Sequence, residues 1–146
     1  MVLLLFIVVG LIAVFALAGY GFGGLGRAGL RHADAAVWLR SLIALLGCVA
    51  AALYTWGLIH VAGAVAQAED GGTSSSPSPP CRSSPQAAHV IGYTVDYVPL
   101  RFVCETTESG GFDAKSVPGY VNPAALGFAL ASVACGAALA IGSRHE

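Results

Sequence analysis

Three long runs without a charged residue restrict the possible folds of this chain more than any other feature. The runs are Val2–Tyr20, Ser41–Ala68 and Pro123–Gly142. Because a helix rises about 1.5 Å per residue, each run is long enough to cross the ~30 Å hydrocarbon core of a bilayer. No alternating polar pattern of the kind found in barrel strands interrupts them. The sequence therefore predicts three transmembrane helices.

The composition agrees with a chain that is largely covered by lipid. Only 10% of the residues are charged and 56% are hydrophobic, whereas soluble domains carry about 25% charged residues. The formal net charge is −1, and no basic stripe is present. Binding to nucleic acid is therefore not expected.

The first run could instead be a cleaved signal peptide. Ala16 and Ala18 form an Ala-x-Ala site, but no Lys or Arg precedes Arg27, so the basic segment of a signal peptide is missing. We therefore expect the first helix to be retained.

The distribution of basic residues predicts the orientation of the helices. The connection after the first run has three arginines and one acid, and the tail adds Arg144. The long connection, residues 67–122, has six acids against three basic residues. The positive-inside rule then places the first connection and the tail in the cytoplasm, and the N-terminus and the long connection outside.

The predicted fold class is an all-α integral membrane protein with three transmembrane helices and a small disulfide-linked extracytoplasmic cap that contains short β-strands. The predicted segments are helix 1 at 1–20 with its N-terminus outside, a basic cytoplasmic loop at 21–36, helix 2 at 37–66 with room to extend outside, an external tether and cap at 67–122, helix 3 at 123–142 and a cytoplasmic tail at 143–146.

The external segment begins with a Ser/Pro/Gly-rich tether at 71–86, whose composition cannot form a core. Two stretches of strand-like alternation follow and meet at Pro99, which marks a bulge, an edge or a bend between short strands. Tyr93, Val95 and Tyr97 are expected to share one face of the first stretch, and Leu100, Phe102 and Cys104 are expected to share one face of the second. We call the part of the 67–122 segment that follows the tether, together with Cys81, the cap.

Two of the four cysteines, Cys81 and Cys104, lie in the external segment. In an oxidising compartment they are expected to pair, and the bond would stabilise the cap by about 3 kcal/mol in the chain-entropy model. Cys48 and Cys135 lie inside apolar runs and are interpreted as packing residues.

Two local motifs receive structural interpretations. The sequence GFGGLG at 21–26 has dinucleotide-binding spacing, but the flanking runs leave no room for a βαβ unit. It is predicted to be a flexible basic loop whose arginines touch anionic lipid headgroups. Asn122 and Pro123 are predicted as the N-cap and first residue of the third helix.

Small residues at helical spacing predict close packing of the helices. They predict a compact three-helix bundle, with one seam open to a partner. The candidate seam residues are Gly10, Ala13, Ala16 and Gly19 in the first helix, and Ser132, Gly136 and Ala140 in the third.

No residue pattern indicates catalysis. The runs have no Asp, Glu or Lys of the kind that marks ion pathways, and the chain has no Cys-x-x-Cys motif. His60, one turn from Trp56, is interpreted as an interfacial histidine. We therefore expect no enzyme activity, no metal and no cofactor.

The leading hypothesis is a multi-pass protein of the plasma membrane that acts as an accessory or scaffold subunit. Its partners would be the lipid bilayer and another envelope protein, or a second copy of itself. Six arginines against one lysine, with abundant Ala and Gly, favour a bacterial origin. The candidate contact residues are Tyr93, Tyr97, Arg101, Phe102 and Tyr120, although Tyr93 and Phe102 are favoured as part of the cap's own core.

Two other classes of function stay open. One is an oligomeric channel or a small transporter component. The weaker one is a membrane thiol-disulfide redox protein that uses Cys81 and Cys104.

Overall fold

The computed structural model describes residues 1–28, 34–70, 79–82, 89–107 and 110–142. These residues form three long helices, a small sheet and one short 3-10 helix. The elements are α1 (Val2–Ala28), α2 (Ala35–Asp70), a 3-10 helix (Pro79–Cys81), β1 (Val90–Tyr97), β2 (Leu100–Thr106), β3 (Phe112–Asp113) and α3 (Val121–Gly142). By length and composition each of the three helices can cross a membrane, which confirms the prediction of three such helices.

The central element is α2, which packs antiparallel to both other helices. On one side Gly10 of α1 lies against Thr55, and Gly24 lies against Ser41. On the other side the Ser132 hydroxyl of α3 donates a hydrogen bond of 3.0 Å to the backbone oxygen of Ile43. Gly57, later in α2, lies against Val121 at the start of α3. The order of these contacts along the helices requires α1 and α3 to run opposite to α2.

Glycines allow α1 to approach α2 closely. A Cβ on Gly21 would lie 2.9 Å from the Leu45 side chain, and a Cβ on Gly24 would lie 2.9 Å from Ser41 Oγ. These glycines continue a seam of buried or half-buried residues at alternating intervals of four and three, as in a coiled coil. The seam consists of Leu3, Ile7, Gly10, Val14, Leu17, Gly21 and Gly24.

This seam differs from the predicted one. Residues at intervals of three rotate by about 60° per step around a helix, so Gly10 and Gly19 lie on opposite faces. A Cβ on Gly19 or on Gly136 would meet no atom within 4 Å. Ala13 is half-buried, whereas Ala16 and Ala140 are exposed. Of the predicted seam residues, Gly10 and Ser132 contact α2.

The helices are longer than predicted. Residues 21–28 belong to α1, so the prediction of a flexible loop at GFGGLG was wrong. Glycine weakens an isolated helix by about 1 kcal/mol per residue, but here the missing side chains permit the contacts with α2. The helix α2 extends beyond 37–66 to Ala35–Asp70, and α3 begins at Val121 rather than at 123.

Parts of the predicted loop, tether and tail lie outside the described residues. They are residues 29–33, 71–78, 83–88 and 143–146.

The sheet is antiparallel with the strand order β1-β2-β3. Val98 and Pro99, joined by a cis peptide bond, form the turn between β1 and β2, so the bend expected at Pro99 is the tip of a hairpin. In this hairpin Val95 pairs with Phe102, and Tyr97 pairs with Leu100. The two-residue strand β3 pairs with the other edge of β2 and is too short to produce a sequence pattern.

The inner face of the sheet packs on the second half of α2. Leu58 and Val61 of α2 form one buried cluster with Leu100, Phe102 and Cys104 of β2. The predicted disulfide is confirmed: Cys81 is bonded to Cys104, and their Cα atoms are 6.1 Å apart. The bond ties the 3-10 helix to the central strand, so the cap has a covalent link inside its apolar core.

The two glycines on opposite faces of α1 provide a matched test of the packing. Gly10→Ala is expected to lower the free energy of unfolding, because the new methyl group overlaps Thr55 and overpacking costs about 1–3 kcal/mol. Gly19→Ala is expected to raise it by up to about 1 kcal/mol through helix propensity. Unfolding titrations of the detergent-solubilised variants measure both changes, and equal effects would contradict the packing described here.

Candidate functional site

The tip of the β1–β2 hairpin is joined to α3 through one amide side chain. Asn122 Nδ2 donates to the backbone oxygen of Leu100 at 3.0 Å, and the backbone N–H of Leu100 donates to Asn122 Oδ1 at 3.1 Å. Both backbone groups of Leu100 are therefore satisfied by a side chain of the neighbouring helix.

This arrangement corrects the prediction that Asn122 is an N-cap. The helix α3 begins at Val121, two residues before the predicted first residue Pro123, and Tyr120 contributes the carbonyl that accepts the N–H of Ala124 at 3.0 Å. Asn122 is thus within the first turn, with its side chain free to face the hairpin. Pro123 also lies within that turn, where the missing N–H of proline is tolerated.

The other two helices also contact the hairpin. The Tyr54 hydroxyl of α2 donates to the backbone oxygen of Tyr97 at 2.9 Å. The Phe6 ring of α1 lies 5.2 Å from the Tyr97 ring, and Leu3 and Ile7 pack against the buried cluster. All three helices therefore fix the position of the cap.

A glycine sets the distance between the cap and α2. A Cβ on Gly57 would lie 2.7 Å from Leu100 Cδ2 and 2.9 Å from Val121 Cγ1. A larger residue at this position would push both β2 and α3 away from α2.

A groove of about 540 Å³ lies beside the hairpin tip, between α2 and α3. It reaches Ala50 on α2, seven residues or about 10 Å along the helix from Gly57. The tip is therefore beside the helices rather than beyond their ends. The groove is lined mainly by Ala50, Tyr54, Val98, Pro99, Leu126 and Ala129.

The chemistry of the groove suits an apolar ligand. Two of its polar side chains, Tyr54 and Asn122, are occupied by backbone atoms of the hairpin, and the ring of the third, Tyr97, lies 5.2 Å from the Phe6 ring. In the part of the chain that the structure describes, no buried side-chain nitrogen or oxygen lacks a hydrogen-bond partner. Hydrocarbon, as an aliphatic chain or the face of an apolar helix, fits this lining better than a polar substrate.

The structure divides the predicted contact residues between the interior and the surface. Phe102 is completely buried and stacks on Tyr93 at 5.1 Å, so Phe102 cannot touch a partner. Tyr97 is half-buried on the same face. Arg101 is exposed and lies 3.6 Å from Asp96, and Tyr120 is 58% exposed at the start of α3.

The most exposed residues of the groove were not predicted as contact residues from the sequence. Val98 is 90% exposed at the hairpin turn, and Leu126 is exposed on α3. A usable signal was present at Val98, because turns normally hold Gly, Pro, Asn, Asp or Ser, whereas this turn places a valine before its proline.

Tyr93 links the cap to the end of α2. Its hydroxyl donates to Glu69 Oε1 at 3.2 Å, and partial burial, followed by this bond to the carboxylate, raises the pKa of the Tyr93 phenol. The phenol therefore stays protonated at neutral pH and keeps its role as donor.

A second, smaller hollow lies between α2 and the later part of the cap. It has a volume of about 360 Å³ and is lined in part by His60, Gln67 and Ser116, with the Trp56 ring edge-on to the imidazole at 5.0 Å. None of the carboxylates that the structure describes lines it. Among the residues that the structure describes, no group of three or more His, Cys, Asp or Glu could hold a metal ion.

No family model, curated protein or solved structure matches this chain. Its function is therefore argued from the geometry of the groove and the cap.

Asn122 provides a direct test of how the cap is attached. Asn122→Ala leaves the N–H and the C=O of Leu100 without partners, and each orphaned group costs about 1–3 kcal/mol. We expect a loss of at least ~2 kcal/mol in unfolding free energy, together with faster hydrogen exchange at the Leu100 amide. In the control variant Asp113→Ala, which removes an exposed bond to the Lys115 N–H, the Leu100 amide should stay protected. Unchanged protection in Asn122→Ala would contradict this attachment.

Proposed function

We propose that this chain is a multi-pass protein of the plasma membrane and a non-enzymatic accessory subunit, which binds a transmembrane helix of another membrane protein in the groove. The observation that carries the proposal is the groove itself. It is largely apolar, the side chains of Tyr54 and Asn122 in its lining are already paired, and it opens beside two helices long enough to span a bilayer.

The surfaces of the helices support the membrane location. Large apolar side chains are exposed on all of them, for example Phe15 at 74%, Ile59 at 45% and Val133 at 68%. An apolar surface of this extent along three helices is rare on a soluble monomer and is the normal outer surface of a membrane bundle.

Two arguments favour an external position for the cap. The Cys81–Cys104 disulfide is typical of an oxidising compartment. The basic residues Arg27 and Arg40 lie at the opposite end of the helices, as the positive-inside rule requires of the cytoplasmic end.

In this orientation the hairpin tip would lie within the outer leaflet. Non-helical backbone at membrane depth is tolerated only where its polar groups are satisfied by protein. The bonds from Tyr54 to Tyr97 and from Asn122 to Leu100 meet that requirement at the tip. Pro99 adds no N–H that would need a partner.

A helix is the favoured occupant because two small residues, Ala125 and Ala129, lie beside Leu126 on the α3 side of the groove. Small residues allow the backbones of two helices to approach closely in lipid. The exposed Tyr120 ring, at the start of α3, is of the type that anchors such interfaces.

Photo-crosslinking tests the proposal in cells. A benzophenone amino acid at Val98 is expected to form an adduct of one defined mass with another membrane protein. The same group at Phe15, on the exposed face of α1, should form none. Ala129→Phe fills the groove and should abolish the Val98 adduct, whereas Ala137→Phe, exposed on α3 outside the groove, should leave it intact.

Each alternative outcome has a definite meaning. A Val98 adduct that survives Ala129→Phe, or equal adducts at Val98 and Phe15, would contradict docking in the groove. An adduct with the mass of two copies of this chain would favour the oligomeric alternative instead.

A further inference from the structure

A cleft of about 420 Å³ lies between α1 and α2 at the end of the molecule opposite the cap. Its walls carry two guanidinium groups and two hydroxyl groups, and it is a different site from the groove. The lining residues are Tyr20, Gly24, Arg27, Val37, Arg40 and Ser41.

The antiparallel packing of α1 and α2 brings the two arginines to similar positions along the axis of the helix pair. Gly24 lies against Ser41, so Arg27 stands three residues beyond this contact on α1 and Arg40 stands next to it on α2. Three residues of helix correspond to about 4.5 Å. The two positive charges therefore flank one cleft, and they come from different helices.

The cleft is held open by the absence of a side chain on Gly24. A Cβ there would lie 2.9 Å from Ser41 Oγ, next to the hydroxyl that faces the cleft. Arg27 is oriented by a hydrogen bond from its Nε to the backbone oxygen of Gly23 at 3.2 Å, which leaves its terminal nitrogens for a ligand.

Within the described ranges, which omit residues 29–33, no ion pair is seen for Arg27 or Arg40. Two arginines at the edge of an apolar bundle need an anion or water. Arginine pairs with phosphate through two parallel hydrogen bonds, and tyrosine and serine hydroxyls can donate to the remaining oxygens.

We propose that this cleft binds the phosphate group of an anionic phospholipid, with Arg27 and Arg40 as the charged ligands and Tyr20 and Ser41 as hydroxyl donors. The inference rests on the membrane location proposed above but requires no protein partner. A lipid is favoured over a soluble anion because the helices that form the cleft carry exposed apolar side chains within two residues of its lining, Phe22 on α1 and Trp38 on α2.

The test uses the full-length protein in detergent and measures lipid affinity by native mass spectrometry. Phosphatidylglycerol is compared with phosphatidylcholine that carries the same acyl chains, and inorganic phosphate alone is the third ligand. We expect at least tenfold preference for phosphatidylglycerol. A basic residue near an anionic headgroup contributes about 1 kcal/mol to lipid binding. Arg27→Gln and Arg40→Gln should therefore each weaken the binding of phosphatidylglycerol about fivefold, and the double variant should weaken it on the order of 25-fold.

Arg101→Gln is the matched control, because it removes an arginine at the cap end, and it should leave lipid binding unchanged. The lipid-free melting temperature of each variant reports folding, and Tyr20→Phe serves as an additional probe if the double variant does not fold. Equal affinity for the two lipids, or full affinity in both single arginine variants, would overturn the proposal. Displacement of phosphatidylglycerol by millimolar inorganic phosphate would assign the cleft to a soluble anion and would overturn the lipid assignment.

Discussion

The structure depends on one constraint: the polar backbone must be satisfied inside a protein whose outer surface is largely apolar. The three helices meet this constraint through their own hydrogen bonds. The hairpin beside them cannot, because among the described residues no further strand pairs with the free edge of β2 at Leu100. Asn122 replaces that strand with one amide donor and one amide acceptor, and the Tyr54 hydroxyl serves the neighbouring carbonyl of Tyr97.

Close approach of backbones is the second requirement, and glycine provides it on both sides of α2. Gly10 and Gly24 let α1 lie against Thr55 and Ser41. Gly57 lets the cap and α3 meet on α2. In lipid there is little hydrophobic driving force between helices, so packing of this kind and bonds such as Ser132 to Ile43 hold a bundle together. The cap adds a buried apolar cluster, which it forms together with α2 and which contains the disulfide.

The helices, the disulfide and the inner face of the hairpin could be predicted from the sequence because each leaves a local or compositional signal. Uncharged length indicates the helices, two external cysteines indicate the bond, and alternation indicates which strand residues share a face. GFGGLG could not be assigned in this way. Its glycines disfavour a helix locally, and only the contacts of Gly21 and Gly24 with α2 explain why the helix continues.

The role of Asn122 and the presence of the groove could not be predicted from the sequence, for a related reason. An Asn-Pro pair fits an N-cap as well as it fits the first turn of a helix, and the partner that decides between them, Leu100, is 22 residues away. The groove exists only where α2, α3 and the hairpin tip meet, so no single stretch of sequence encodes it. The same holds for the cleft at the other end, which combines Arg27 of α1 with Arg40 of α2.

The central claim is that three helices cross a membrane with the cap outside and the α1–α2 end inside. It is tested most directly by labelling cells with a thiol reagent that cannot enter them, in a background where Cys48 and Cys135 are replaced by alanine. A cysteine in place of Ile91, which is exposed on the cap, should react in intact cells. One in place of Asp34, which is exposed just before α2, should react only after the cells are opened. The reverse pattern, or equal labelling of both positions in intact cells, would contradict the account.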